Sequence, residues 1–176
     1  MLTIQKITDL DTLTFNWIQA RRLTYRQLAS VSRAISRLGD GLLYVAIGAV
    51  FALFDAQHGM DFLAVGLLAY LIELPLYWVL KNTVRRPRPS SLDGFKAVIV
   101  PSDTFSFPSG HSAAAFLFAT VLAVYYPSLA LVGYILACLI GFSRVMLGVH
   151  YPTDIAVGAA LGISCAELSL LIWTLL

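Results

Sequence analysis

Charged residues and cysteines are both scarce in this chain of 176 residues. Only 12% of the residues are charged, 59% are hydrophobic, and there are two cysteines. This composition argues against an ordinary soluble domain. Cys138 and Cys165 both lie within apolar stretches, which favours buried thiols over a disulfide or a metal pair. The first ten residues are polar, so no signal peptide is expected.

Four long runs carry almost no charge, at residues 41–54, 62–80, 109–142 and 155–176. A helix that crosses a membrane needs roughly 20 apolar residues. The third run is too long for one crossing and contains Pro127 near its middle, so it is predicted to fold back as two helices. The prediction is an all-α, integral membrane helical bundle with five transmembrane helices, near residues 41–57, 60–80, 109–126, 128–147 and 154–176. A soluble helical protein with a buried core is the less favoured alternative.

The N-terminal region, residues 1–40, is predicted to contain a basic amphipathic helix over residues 13–38, beside a transmembrane domain at residues 41–176. The apolar face of this helix comprises Leu28, Val31, Ile35 and Leu38. The opposite face is basic and comprises Arg22, Arg26, Arg33 and Arg37. Such a helix lies at a membrane interface, attracted to anionic headgroups. Packing against the bundle is an alternative that does not exclude the first.

Three short polar segments border the predicted spans, at residues 81–89, 108–111 and 143–154. With five crossings, all three emerge on the same side of the membrane. The loop between the first two is the longest polar connection, and its four prolines prevent a continuous helix. The span count therefore predicts that distant segments meet at one membrane face.

The residues of these segments suit a phosphate. Lys81 and the arginines that follow it concentrate positive charge, and arginine binds phosphoryl oxygens bidentately; anchoring to headgroups is the simpler interpretation of such a cluster. Ser109, Gly110 and His111 open a helix, whose free amides and dipole favour an anion, although Ser109 can also be an ordinary N-cap.

The third segment combines Arg144, His150 and Asp154. A carboxylate can hold one imidazole nitrogen, fix the tautomer and leave the other nitrogen free to attack an electrophile. A turn stabilised by a histidine–aspartate hydrogen bond is the alternative for this segment taken alone.

Together the segments resemble the signature of the type 2 phosphatidic acid phosphatase superfamily, which is K-x6-R-P, P-S-G-H and S-R-x5-H-x3-D. Lys81, Arg88 and Pro89 match the first part, residues 108–111 the second, and Ser143, Arg144, His150 and Asp154 the third. No position of the signature is missing. The Arg86–Pro87 pair has the wrong spacing from Lys81, so Arg88 takes the assignment. The resemblance covers roughly residues 41–176.

The resemblance implies a role for each matched residue. His150 would be the nucleophile that forms a phosphohistidine, Asp154 would orient it, and His111 would be the general acid and later the base. The phosphoryl oxygens would be held by Lys81, Arg88, Ser109, Gly110 and Arg144. No metal and no other cofactor are implied, because the cations supply the positive charge.

The implied activity is hydrolysis of a lipid phosphate, such as undecaprenyl diphosphate, phosphatidylglycerophosphate, phosphatidate or a lipid A phosphate. The expected partners are this lipid and the bilayer of a bacterial inner membrane, which the chain crosses several times; no nucleic acid is expected, and no oligomeric state is predicted. A lipid-to-lipid phosphotransferase would use the same residues. A non-catalytic lipid-binding protein would not need both histidines, and the apolar spans argue against the soluble vanadium haloperoxidases that share the signature.

The side of the membrane is predicted differently by two rules. Six N-terminal cations lie on the side of the site, and the positive-inside rule would make that side cytoplasmic; these are Lys6, Arg21, Arg22, Arg26, Arg33 and Arg37. The resemblance implies an extracytoplasmic site, which we favour. Glu73 and Glu167 fall within predicted spans, where ionisable groups are costly, and interhelical hydrogen bonds are the favoured interpretation of both.

Overall fold

The chain is almost entirely helical. The computed structural model describes residues 2–24, 26–91, 97–101 and 103–176, with the side chains of residues 2–7, 22–24 and 26 outside that description. Within these residues, seven α-helices follow in order: α1 (Leu2–Thr24), α2 (Arg26–Arg37), α3 (Gly41–Phe54), α4 (Gly59–Val84), α5 (Gly110–Tyr125), α6 (Ala130–Met146) and α7 (Pro152–Thr174). Two single-turn 3-10 helices lie at Pro89–Ser91 and Pro127–Leu129. The all-α prediction is therefore confirmed.

Helices α3 to α7 occupy the five predicted positions, with ends shifted by a few residues. In the part of the chain that the structure describes, three stretches are long and apolar enough to cross a membrane, namely Gly59–Val84, Pro127–Met146 and Pro152–Thr174. Helices α2 and α3 together form a fourth candidate, bent by 50°. Helix α5 has 16 residues, which is about 24 Å and shorter than a typical crossing.

Helix α5 is the centre of the bundle, and its Ala113, Leu117 and Val121 are buried. Two glycines of α7 let that helix lie directly on α5. A Cβ at Gly158 would lie 2.4 Å from the Ser109 carbonyl oxygen, and one at Gly162 would lie 2.1 Å from the Ala113 carbonyl oxygen. This glycine seam brings the start of α5 and the start of α7 together, as small residues do between membrane helices.

The connections sort to opposite ends of the bundle. At one end, the Tyr126 hydroxyl after α5 donates a 2.8 Å hydrogen bond to Asp55 after α3. At the other end, the Ser109 amide donates a 3.0 Å hydrogen bond to the Asp154 carbonyl oxygen. The short connections therefore meet at one end, and the three motif segments meet at the other, as the span count predicts.

The prediction of one helix over residues 13–38 is wrong, because two helices, α1 and α2, occupy this region. Each of the two helices has its own packing contacts with the rest of the bundle. Phe15 and Ile18 of α1 pack with Val145, Met146 and Tyr151. Helix α2 instead buries Ser32 and Ser36 while Leu28 and Val31 stay exposed. The side chains of Arg22 and Arg26, assigned to the basic face, lie outside the described residues.

Candidate active site

The first motif segment runs from the end of α4 into an extended stretch. Arg85 has a left-handed conformation with φ of 49° and ends α4, and Pro87 and Pro89 keep the following residues from continuing it. The buried Arg88 guanidinium donates a 2.7 Å hydrogen bond to the Val149 carbonyl oxygen and approaches His150 Nε2 to 3.4 Å. The first and third segments are thus in direct contact.

His150 lies in the tight turn between α6 and α7. Gly148 supplies the positive φ of 79° that this turn requires. Asp154 Oδ2 accepts a 2.8 Å hydrogen bond from the Tyr151 amide and lies 3.6 Å from His150 Nδ1. That separation is slightly longer than a hydrogen bond, and such catalytic contacts tighten when substrate binds. Asp154 therefore faces Nδ1, and Nε2 faces the cations.

The electrostatic surroundings keep His150 neutral. Burial lowers its pKa to about 4; Asp154 opposes this effect, while the positive charges of Arg88 and Arg144 reinforce it. A neutral imidazole retains the lone pair that a nucleophile needs. The site thus provides an unprotonated His150 throughout the neutral pH range.

His111 opens α5 and is tied to the N-terminal region. Its Nε2 lies 3.3 Å from Asp40 Oδ1. Arg144, from the third motif segment, donates a 2.6 Å hydrogen bond to the Ser36 hydroxyl. Two residues before α3 thus contact two motif residues, although the sequence assigned neither Asp40 nor Ser36 to the site.

Ser109 and Gly110 have packing roles that the structure makes explicit. The Ser109 hydroxyl accepts a 3.4 Å hydrogen bond from the Ser112 amide, as an N-cap does. A Cβ at Gly110 would lie 3.1 Å from the Tyr77 ring, so glycine allows the tyrosine to lie against the start of α5. The N-cap interpretation of Ser109 is confirmed, and phosphate contact by Ser109 and Gly110 stays a prediction.

Asp103 connects the two cations of the first segment. Its carboxylate accepts a 2.7 Å hydrogen bond from Lys81 Nζ, one from Arg88 Nη2, and a 3.0 Å bond from the Tyr77 hydroxyl. Burial raises the pKa of Asp103, but the hydrogen bonds from Lys81 and Arg88 outweigh it and hold that pKa below its usual value. Asp103 therefore engages two of the donors that the sequence analysis assigned to phosphate.

Arg86, set aside by its spacing, also contacts a residue of the third motif segment. Its Nη1 donates a 2.9 Å hydrogen bond to Asp154 Oδ1, and its Nη2 pairs with Asp11 of α1 at 2.5 Å. Its guanidinium lies 4.0 Å from the centre of the Tyr151 ring. Asp11 also accepts a 3.0 Å hydrogen bond from the Thr153 amide. Arg86 therefore links α1 to the carboxylate beside His150.

Sequence reasoning missed these contacts because they come from outside the three motifs. The one available signal was the repeated Arg-Pro at residues 86–87 and 88–89. In an extended stretch, residues two apart lie on the same side, so both arginines can face the turn that carries His150 and Asp154. Neither Glu73 nor the C-terminal Glu167 forms an interhelical hydrogen bond among the described residues, so the interpretation of these glutamates as interhelical hydrogen-bonding partners is not confirmed.

Comparison with known proteins relates the whole arrangement to one family. Residues 59–175 match the family model described as the PAP2 superfamily. A decaprenylphosphoryl-5-phosphoribose phosphatase of Mycolicibacterium smegmatis is 39% identical over 132 residues, which are 72% of this chain and 69% of that protein.

Two solved structures share the fold over nearly the whole chain. The crystal structure of Aquifex aeolicus LpxE matches with a TM-score of 0.81 at 31% identity, covering 92% of this chain and 94% of that one. The PAP2-type phosphatidylglycerolphosphate phosphatase of Bacillus subtilis matches with a TM-score of 0.74 at 29% identity, covering 93% and 84%. Coverage this high extends beyond the motifs into the N-terminal helices.

Proposed function

The chain belongs to the PAP2 superfamily, and from this premise we propose that it is an integral membrane lipid phosphatase that works through a phosphohistidine. The observation that carries the proposal is the contact between motif segments at one end of an apolar bundle, where Arg88 lies between Asp103 and His150. Phosphorylated lipids present their phosphate at the level of the headgroups, which is where a site at the end of the spans would meet it.

In the first step, His150 Nε2 attacks phosphorus while the bond from phosphorus to the lipid oxygen breaks. Asp154 holds the opposite nitrogen, and His111 gives its proton to the departing oxygen. The oxygens of the transferring group gain contacts with Lys81, Arg88 and Arg144, which disperse their negative charge. The products of this step are the lipid alcohol, or a lipid phosphate from a diphosphate, and phosphohistidine.

In the second step, water attacks the same phosphorus and the phosphorus–nitrogen bond breaks. His111 now accepts the proton of that water, which restores its starting form. Inorganic phosphate leaves and His150 is again neutral. The contact between His111 and Asp40, at 3.3 Å, supports the proton transfers because the carboxylate stabilises the imidazolium that they require.

Five crossings and an interfacial N-terminal segment are the membrane arrangement that we propose, with residues 1–40 lying at the surface beside a phosphatase domain at residues 41–176. Helix α5 would cross within the shell formed by α3, α4, α6 and α7. Leu28 and Val31 of α2 remain exposed while Ser32 and Ser36 face the protein, which supports contact of α2 with the bilayer surface.

We propose that the site lies on the extracytoplasmic side. Two of the N-terminal cations that oppose this orientation are engaged with the site, because Arg33 and Arg37 line a pocket with His111 and Arg144. Arg33 also donates a 3.0 Å hydrogen bond to the Val98 carbonyl oxygen. Cations that belong to a binding site do not report topology, which weakens the positive-inside argument.

Labelling in intact cells tests this orientation. In a background without Cys138 and Cys165, Ser91→Cys at the site end is expected to react with an impermeant thiol reagent. Gln57→Cys, exposed at the opposite end, serves as the control and is expected to react only after permeabilisation. The reverse pattern would place the site in the cytoplasm.

Phosphate release tests the activity itself. The purified protein is expected to release phosphate from lipid phosphates at an unchanged rate in EDTA, because its cations supply the charge that a metal would. Vanadate is expected to inhibit, since it adopts the pentacoordinate geometry of phosphoryl transfer. Release that EDTA abolishes would contradict the mechanism, and release from no lipid phosphate would contradict the function.

A further inference from the structure

A groove descends from His111 along the outside of the bundle. It has a volume of about 610 Å³ and lies between α3, α4 and the start of α5. Its apolar lining is open to the bilayer and comprises Val45, Leu67, Leu71 and Leu74, all largely exposed. Its polar lining is Asp40, Glu73, Tyr77 and His111. The groove therefore connects the proton donor of the site with the lipid phase.

Glu73 is the unusual member of this lining. It is only 2% exposed, and none of the described residues forms a hydrogen bond or ion pair with it. A buried carboxylate without a donor is costly, and such groups are normally satisfied by a partner. Its place in the groove wall indicates that a molecule within the groove can supply that donor.

The depth of Glu73 along α4 determines which part of a bound lipid phosphate it contacts. Lys81 Nζ lies 2.5 Å from the Tyr77 hydroxyl, so the phosphate-binding cation sits at the height of Tyr77. Glu73 is one turn further along α4, about 6 Å deeper. The first few atoms beyond the scissile oxygen would reach this depth, and they enter the groove because His111 protonates that oxygen within it.

His111 is the one group among the described lining residues of the groove that can carry positive charge, and it gives up its proton to the leaving oxygen. Among the described residues that line the groove there is no lysine or arginine, whereas Asp40 and Glu73 both present carboxyl groups. A diphosphate lipid leaves as a lipid phosphate, whose negative charge would lie against these groups. An alcohol leaves without charge, and a hydroxyl on it can donate a hydrogen bond to Glu73.

We propose that Glu73, together with Asp40, makes the groove selective for a phosphate monoester of an uncharged, hydroxylated lipid alcohol and selects against a lipid diphosphate. This inference rests on the lipid phosphatase function proposed above and names its substrate class. Glu73 acts on specificity by accepting the hydroxyl, and both carboxyl groups repel an anionic leaving group.

Arg33, Arg37 and Arg144 form the competing environment for a second phosphate. They line a smaller pocket of about 210 Å³ on the other side of Asp40. That pocket does not include the exposed leucines of the groove, so a lipid tail in the groove draws the leaving group away from these arginines. Cleavage of a lipid diphosphate whose second phosphate binds in this smaller pocket would depend on Arg37.

Three substrates that share the same hexadecyl tail test this selectivity: hexadecyl-glycerol phosphate with a free hydroxyl, hexadecyl phosphate and hexadecyl diphosphate. For the wild-type protein, kcat/KM is expected to fall in that order, by at least about tenfold from first to last. Glu73→Gln is expected to raise the diphosphate-to-monoester ratio about tenfold, and Glu73→Leu to remove the preference for the hydroxyl. Ratios within each variant do not depend on how much of it is folded.

Glu167→Gln is the matched control, because Glu167 is an exposed glutamate of α7 that does not line the groove; all its ratios should equal the wild-type ones. Equal rates on all three substrates, or ratios unchanged in Glu73→Gln, would overturn the proposal. So would efficient diphosphate cleavage that Arg37→Ala abolishes. Phosphate release from none of the three would instead refute the lipid phosphatase function itself.

Discussion

Replacing His150 with glutamine is expected to abolish turnover, lowering kcat by at least about 1,000-fold, as loss of a nucleophile does. Glutamine keeps a polar side chain of similar size in this buried position, but it has no ring nitrogen that can bond to phosphorus. The protein should therefore remain folded while phosphate release from any lipid phosphate stops. Malachite-green assay of phosphate, with circular dichroism of the same sample, checks both expectations.

His58→Gln is the matched control, because His58 is exposed in the connection at the opposite end of the bundle. Its rate should equal that of the wild type. Rapid acid-free quenching with a radiolabelled substrate should trap labelled protein that is stable in alkali in the wild type and in His58→Gln, and none in His150→Gln. A His150→Gln variant with near-normal turnover would show that another residue attacks phosphorus.

Replacing Arg86 with glutamine is expected to lower kcat by about 100-fold with a smaller change in KM, as loss of a supporting partner does. Arg86 bonds to Asp154 on the side away from His150, so its loss leaves the carboxylate free to turn from the imidazole. It also leaves the buried Asp11 and Asp154 without their shared cation, which should lower stability by about 3 kcal/mol. Steady-state kinetics and thermal unfolding in detergent measure the two effects.

Arg85→Gln controls for the loss of positive charge next to the site. Arg85 is exposed and its guanidinium bonds only the local Asn82 carbonyl oxygen among the described residues, at 2.7 Å. Both kcat and the melting temperature should stay at wild-type values. Equal behaviour of the Arg85 and Arg86 variants would mean that the contact of Arg86 with Asp154 has no part in positioning His150.

The motif residues could be predicted because their spacing is recorded within short segments. Lys81 and Arg88 are seven positions apart, and His150 and Asp154 are four apart. Over such short sequence separations, the local backbone conformation determines where each side chain lies relative to the other. Asp103, Asp40 and Ser36 could not be predicted in the same way. Each reaches the site through tertiary packing, and acidic or small polar residues in connections give no signal of which cation they will meet.

The helices show the same division between local and tertiary information. Apolar runs predicted the positions of α3 to α7 because burial and lipid contact both require them. The N-terminal region carries a weaker pattern, and there tertiary packing decides: Phe15 and Ile18 attach α1 to the end of α6, while Ser32 and Ser36 attach α2 to its side. The hydrophobic periodicity of residues 13–38 had predicted a single helix there.

The glycine seam between α5 and α7 affects whether a lipid can pass between these helices and how firmly their starts are held together. Main-chain atoms of the two helices are so close at Gly158 and Gly162 that no methyl group fits between them. An acyl or prenyl chain cannot part helices in such contact, so we expect no lipid to pass between α5 and α7. The starts of these two helices, beside which His111 and His150 lie, are therefore expected to keep their spacing when the thickness or fluidity of the membrane changes.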